Sequence, residues 1–527
     1  MSQDFAKAGV KAVNDIGSPV SLAATGEGHL EVAIHAPRLP FGSIHAERLT
    51  PVFQHDAVYQ LNSFSTKATT GHSTGGVSSA TATVSNNLFK CYTGTTALSF
   101  SAIQSRKRLR YRAGQGIVGR FAGGFSAPAE SSILVIGFGT AESGFYFGYN
   151  GTSFGILHVT GGVREVRTLT VTTASTSTSN YNVVLNGATA VNVTATNNSS
   201  TVKTAYEISR GTFPGWTSYQ VGSTVVFVAN DAGSKTGSYS LAQSGAGTPA
   251  AGTFARTLSG AASTDTWIPQ SSWNGDKLNG TGASGFTIDP SKGNVFQIGV
   301  QYLGFGTITF SVEVTSSNTN NADFVTCHTI KYPNTSTSTS LTQPSFPFTM
   351  AAYSAGSTTD VGCFVGSFGG FREGVTLLSG PRMTYTNTST AVSTGAYYCL
   401  FTVRNDGVYA GRANQSVVNI LSVGAAHDDA TPVTLYALRN ATLVGTPNFT
   451  AWASSSCTSV DTAATTATVS TNDQIVFSIP IGQGGNELIA LGDEVTLQPG
   501  ETLTIAATAV TGTATYTIAS MNTREDQ

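Results

Sequence analysis

A chain of 527 residues with a formal net charge of −2 exceeds the size at which one hydrophobic core keeps growing, so two to four domains are expected. Charged residues make up only 11%, so Ser, Thr, Asn, Gln and Gly must cover most of the surface, and such a near-neutral surface argues against whole-molecule attraction to nucleic acid or anionic lipid. No apolar run is long enough for a membrane-spanning helix, and MSQDFAKAGVKAVNDIG lacks the basic-then-apolar order of a signal peptide, which predicts a soluble protein with no membrane insertion.

Residues 1 to 50 combine two short apolar patches with prolines and histidines, and read as an N-terminal docking arm. Ordering so long an arm demands contact surface that a neighbouring subunit would supply. His29, His35, His45 and His55 cluster in this part of the chain. One of them repeated around a threefold axis could hold a metal, but tight sites space their ligands three to five residues apart, so solvated or interface histidines are the reading adopted and no metal is assigned.

Beyond the arm, strands of four to eight residues alternate with Gly, Asn and Ser, the signature of sandwiches or barrels. The run Arg106-Lys107-Arg108-Leu109-Arg110-Tyr111-Arg112 is the densest charge cluster, with four arginines on one strand face. It could grip phosphate or an anionic glycan. Tyr111 and Leu109 fall on the other face, unlike the interleaving that suits nucleic acid, so an arginine ladder paired with carboxylates across a sheet or subunit boundary is preferred. Gly114-Gln115-Gly116-Ile117-Val118-Gly119 matches the spacing of a dinucleotide fingerprint, but Arg120-Phe121-Ala122-Gly123-Gly124-Phe125 follows where a helix is needed. A Gly-rich turn between strands is expected, and no cofactor.

Ile133 to Phe138, Phe145 to Tyr149, Val295 to Val300 and Tyr397 to Val403 are continuously apolar, as strands covered on both faces would be. In Thr307 to Val314, strict alternation puts Ile308, Phe310, Val312 and Val314 on one buried face. Residues 166 to 262 read as a small inserted α+β module: Asn186-Gly187 predicts a type I′ hairpin, and Ser200 caps a short helix with Val202, Ala205 and Tyr206 on its apolar side and Gly211 at its end. From residue 413, Val495/Leu497, a Pro499-Gly500 turn, Leu503/Ile505 and Tyr516/Ile518 describe paired strands of a second sandwich, which the charged tail Arg524-Glu525-Asp526 ends.

Chemistry is scarce. Asp428-Asp429 reads as a solvated turn, Glu373 as a partner of Arg372, and the aromatic runs Phe145-Tyr146-Phe147-Gly148-Tyr149 and Trp273-Asn274-Gly275-Asp276 as core rather than sugar platforms. No nucleophile elbow or paired histidine spacing occurs, so no catalytic residue is assigned and the protein is read as a non-enzyme. Cys91, Cys327, Cys363, Cys399 and Cys457 are scattered and odd in number, which fits synthesis in a reducing cytosol.

The segments Arg110-Tyr111-Arg112-Ala113-Gly114-Gln115-Gly116, Phe147-Gly148-Tyr149-Asn150-Gly151-Thr152-Ser153-Phe154-Gly155 and Trp273-Asn274-Gly275-Asp276-Lys277-Leu278-Asn279-Gly280-Thr281-Gly282 resemble a family of uncharacterised virion structural proteins. These belong to tailed phages, especially aquatic ones, and to some large DNA viruses. Pro344-Ser345-Phe346 and the ending from Leu497 to Ile505 and from Ser520 to Asp526 extend the resemblance over roughly residues 100 to 527. It carries no catalytic residues to transfer.

The expectation is therefore an all-β protein: a jelly-roll or β-sandwich core of residues 51–165 and 263–412, an inserted α+β module at 166–262, a C-terminal β-sandwich at 413–527 and an extended N-terminal arm at 1–50. Its expected role is a homotrimeric fibre or spike on a phage particle, made in the host cytoplasm, docked to other virion proteins by the arm and facing host surface glycans. A capsid decoration or minor capsid protein, and a glycan-processing tailspike enzyme, are the alternatives.

Overall fold

The computed structural model describes residues 12–13, 19–20 and 49–526, apart from 64, 74–75, 113, 302, 316–321, 342–343, 375–379, 388–389, 428–429 and 493–494. The chain divides into two units, Met1–Leu49 and Thr50–Gln527. In the first, only the short antiparallel pair of Ala12–Val13 with Pro19–Val20 is described, so the extended arm and its His29, His35 and His45 lie outside the described residues, as does Asp428-Asp429. The regular structure of the second unit is nearly all β, with one α-helix among the described residues, and no described helix is long and apolar enough to cross a membrane.

Eight strands form the centre of the first sandwich, with further strands extending both sheets: β1 (Leu88–Tyr92), β2 (Ser99–Arg110), β3 (Ile117–Phe125), β4 (Ser132–Gly139), β5 (Gly144–Asn150), β6 (Asn294–Val300), β7 (Ser345–Ser354) and β8 (Gly362–Glu373). They pair antiparallel in the orders β1-β8-β3-β6 and β2-β7-β4-β5, so that β1 to β4 cross from sheet to sheet while β4 and β5 form a hairpin. That is a jelly roll, two Greek keys folded into two sheets. Aromatic rings fill the space between the sheets. Phe348 on β7 stacks on Phe368 of β8 at 3.8 Å, Phe121 of β3 meets Phe138 of β4, and Phe147 of β5 meets Phe296 of β6. Ile308, Phe310, Val312 and Val314, on the strand beside β6, are all buried in this core, as their alternation predicts.

The α+β module interrupts the roll between β5 and β6. The strands on either side of it, Ser153–Thr160 and Thr264–Pro269, pair with each other and close its base. Within it Asn186 and Gly187 both take positive φ, and Ala188 N donates to Leu185 O, the geometry of the predicted type I′ turn. Ser200 Oγ accepts from Lys203 N at the start of helix α1 (Thr201–Ser209). The helix buries Ala205 and Ile208, whereas Val202 stays partly exposed and Tyr206 reaches the C-terminal sandwich, where its hydroxyl accepts from Leu443 N.

The C-terminal sandwich uses β9 (Arg382–Thr386), β10 (Tyr397–Asn405), β11 (Val417–His427), β12 (Val433–Arg439), β13 (Ile475–Ile481), β14 (Asn486–Ala490), β15 (Thr502–Ala509) and β16 (Thr513–Asp526). Their orders are β9-β16-β11-β14 and β10-β15-β12-β13. Position for position these repeat the orders of the first sandwich, so the chain is two jelly rolls in tandem.

Four expectations need correction. The boundary at 412/413 moves to before Arg382, because β9 pairs with the last strand β16 and β10 pairs with β15. The strand Val295 to Val300 alternates, with Phe296, Ile298 and Val300 buried and the residues between them partly exposed, since its second face is the outside of the sandwich. The segments around Leu503 and Tyr516 do not pair with each other: β15 and β16 lie in opposite sheets. Nor does the charged tail end the pattern, because β16 runs to Asp526 with Glu525 fully buried.

Candidate functional site

The chemistry-bearing side chains gather along the seam where the two jelly rolls and the inserted module meet. Strand β2 and the residues just after it supply cations from the first roll. Arg106 Nη1 donates to Glu501 at 2.7 Å, while Arg110 and Arg112 both reach Asp526, the latter at 2.9 Å. Arg110 also donates to the Asp526 carbonyl, and Arg372 donates to the Arg110 carbonyl. Three of the four arginines, Arg106, Arg110 and Arg112, are thus closed by carboxylates of the second roll, as the preferred reading of the sequence has it, whereas Arg108 forms no ion pair among the described residues.

Arg108 lies deeper, where burial and then the Arg164 guanidinium push it down to about 10 against the opposing pull of Glu142. Burial also lowers Lys67, helped by Arg106, Arg108 and Arg164. Glu142 ties three bodies together: it accepts from Arg164 Nε of the module and from Gln415 Nε2 of the second roll, both at 3.0 Å. The module fastens further through Arg404 of β10, whose guanidinium sits between the rings of Tyr219 and Phe449 at 4.7 and 4.1 Å.

Behind the ladder the buried Glu525 accepts from the Ser456 hydroxyl, Cys457 N and the Thr458 hydroxyl. The nearby carboxylate, after burial, holds the Cys457 thiol far above its ordinary range, so it is no nucleophile. All five cysteines are buried and unbridged.

The Gly-rich motif is a turn between β2 and β3, as its context implies. Gly114 has φ +87°, and Gly116 N donates to Glu373, which thereby serves the turn; no ion pair joins it to Arg372 among the described residues. Gly119 answers to packing, because a Cβ there would stand 2.1 Å from the Phe138 ring. Gly119→Ala is expected to cost about 1–3 kcal/mol by overpacking, measured as a lower denaturant midpoint.

The aromatic runs are core. Phe145, Phe147 and Trp273 are buried, and Phe147 meets Trp273 edge-on. His55 stacks on Phe53 and meets the Phe368 ring at a tilt. No group of three or more His, Cys, Asp or Glu is placed to hold a metal among the described residues. Burial holds His55, His158 and His328 below the usual histidine range, with Lys107 adding to the effect at His55.

A folded-state value below the unfolded one means that the native protein takes up fewer protons. Stability from these groups is therefore complete above pH ~6.5 and lost as pH falls through and below that value. The melting temperature should be flat between about pH 7 and 8 and fall between about pH 6.5 and 5. Burial is opposed by hydrogen bonds at Glu165 and Asp276, which end below the ordinary carboxylate range and so titrate outside this window.

Glu501 and Glu142 were not singled out by the sequence, and Asp526 only as part of the charged tail. Their only local signal was four arginines on one strand face with no carboxylate near them in the chain. Comparison with protein-family models and with curated proteins finds no match to this chain.

Proposed function

We propose that this chain is a structural protein of a virus particle, working as a homotrimer and exposing its outer loops to host or solvent. The observation that carries the reading is the jelly-roll order of both sandwiches, a fold that recurs in viral capsid proteins as well as in lectin domains and cupins. The support is analogy at the level of fold. It agrees with the resemblance in the loops to virion structural proteins. The seam adds a physical argument: ion pairs and a clasping module hold two sandwiches as one body, which suits a part whose function is rigid position.

The first placement is a fibre or spike docked through the N-terminal segment. A second, a shell or decoration protein that cements neighbouring subunits, is favoured by one feature. Three copies of a two-roll chain present six alike sandwiches around an axis, a unit suited to tiling a surface. Light scattering on the full chain tests the assembly. The expected mass is three times 54.4 kDa, and a monomer mass at micromolar concentration would contradict the trimer.

A further inference from the structure

The seam also carries a cavity that the ladder does not fill. On β2, Gln104 pairs with Thr349 and Arg108 with Pro347, so three residues of β2 stand opposite one of β7. A bulge of this kind re-aims side chains, and here Arg106 and Lys107, adjacent in sequence, line the same cavity of about 170 Å³. Arg439 of the second roll completes its cationic wall. Two of these cations are fixed in place: Arg106 by Glu501 and the Ser63 carbonyl, Arg439 by donating to Thr496 O at 2.9 Å. Three cations face one carboxylate, on a floor that includes Val476 and Val495.

A wider groove of about 540 Å³ lies alongside, lined by Tyr59, Gln60, Asn62 and Asp473. Ser63 joins the two spaces, since its carbonyl receives Arg106 and its hydroxyl reaches Asp473 at 3.5 Å. Tyr59 is 81% exposed, beside the exposed Val58. A bare aromatic ring amid amide and carboxylate groups is the surface on which a sugar face stacks while its hydroxyls find donors and acceptors.

We propose that this seam binds an acidic saccharide, with its carboxylate or sulfate in the cavity of Arg106, Lys107 and Arg439 and a ring on Tyr59. Asp56 and Asp473 in the groove would repel a chain of phosphates, which disfavours nucleic acid, whereas one anionic group followed by neutral hydroxyls meets complementary charge throughout. The site depends on the seam alone and stands or falls separately from the virion reading.

Calorimetric titration of the full chain at fixed ionic strength tests it, with a uronic-acid oligosaccharide, a sulfated oligosaccharide, a neutral oligosaccharide of equal length and inorganic sulfate as probes. At least one acidic oligosaccharide should bind and the neutral one should not. Lys107→Glu should weaken binding about tenfold or more, as loss of a charge-assisted contact does, and Tyr59→Ala about tenfold. Both side chains are exposed, so the variants keep the fold. The proposal is overturned if neither acidic oligosaccharide binds, if the neutral one binds equally, if both variants bind like the parent, or if sulfate alone accounts for the affinity.

Discussion

Phe348→Ala should lower the stability of the protein by about 3–5 kcal/mol, the largest single-residue effect expected in the first roll. The ring is fully buried, lies 3.8 Å from Phe368 with the planes 7° apart, and also meets Phe121 and Phe138. It thus touches strands of both sheets, and truncation opens a void that β7 and β8 cannot both close. Urea unfolding followed by tryptophan fluorescence measures the loss. Val510→Ser, at an exposed site, should stay within about 0.5 kcal/mol of the parent.

The second large effect belongs to the seam. Asp526→Asn preserves size but removes the counter-charge of Arg110 and Arg112, all three being largely shielded from solvent. Breaking such a pair from one side typically costs about 3–5 kcal/mol, because it strands the remaining charge; with Arg110 still donating to the Asp526 carbonyl, about 2–3 kcal/mol is expected. The rolls should then uncouple. Calorimetry should resolve two thermal transitions in the variant where the parent gives one. Arg112→Gln combined with Asp526→Asn should cost less than the sum of the two changes, since the residues share one contact.

The features legible in the sequence are local ones. The alternation of Ile308, Phe310, Val312 and Val314, the Asn186-Gly187 turn and the Ser200 cap depend on residues within one strand or one turn of chain, and each is found as expected. The Gly114 to Gly119 motif can be set aside for the same reason, because the residues from Arg120 to Phe125 carry no helical pattern. Strand order is out of reach. β9 finds its partner β16 more than a hundred residues away, and nothing in the alternating pattern of either says so, which displaces the boundary between the sandwiches.

The same holds for the seam. Arg110 and Asp526 are 416 positions apart, so Arg524-Glu525-Asp526 reads as a charged tail that stops the strand pattern although Glu525 and Asp526 are a buried strand end. That the second sandwich repeats the first is a property of topology, with no repeated sequence to announce it.

Antibody-gold labelling of intact particles, using an antibody raised against the full chain, tests the central claim most directly. Gold is expected on the particle surface, gathered at tail or vertices for a fibre or spike, or spread over the faces for a shell component. Particles that stay unlabelled, while the same antibody detects the protein in infected-cell extract, would contradict a place in the virion.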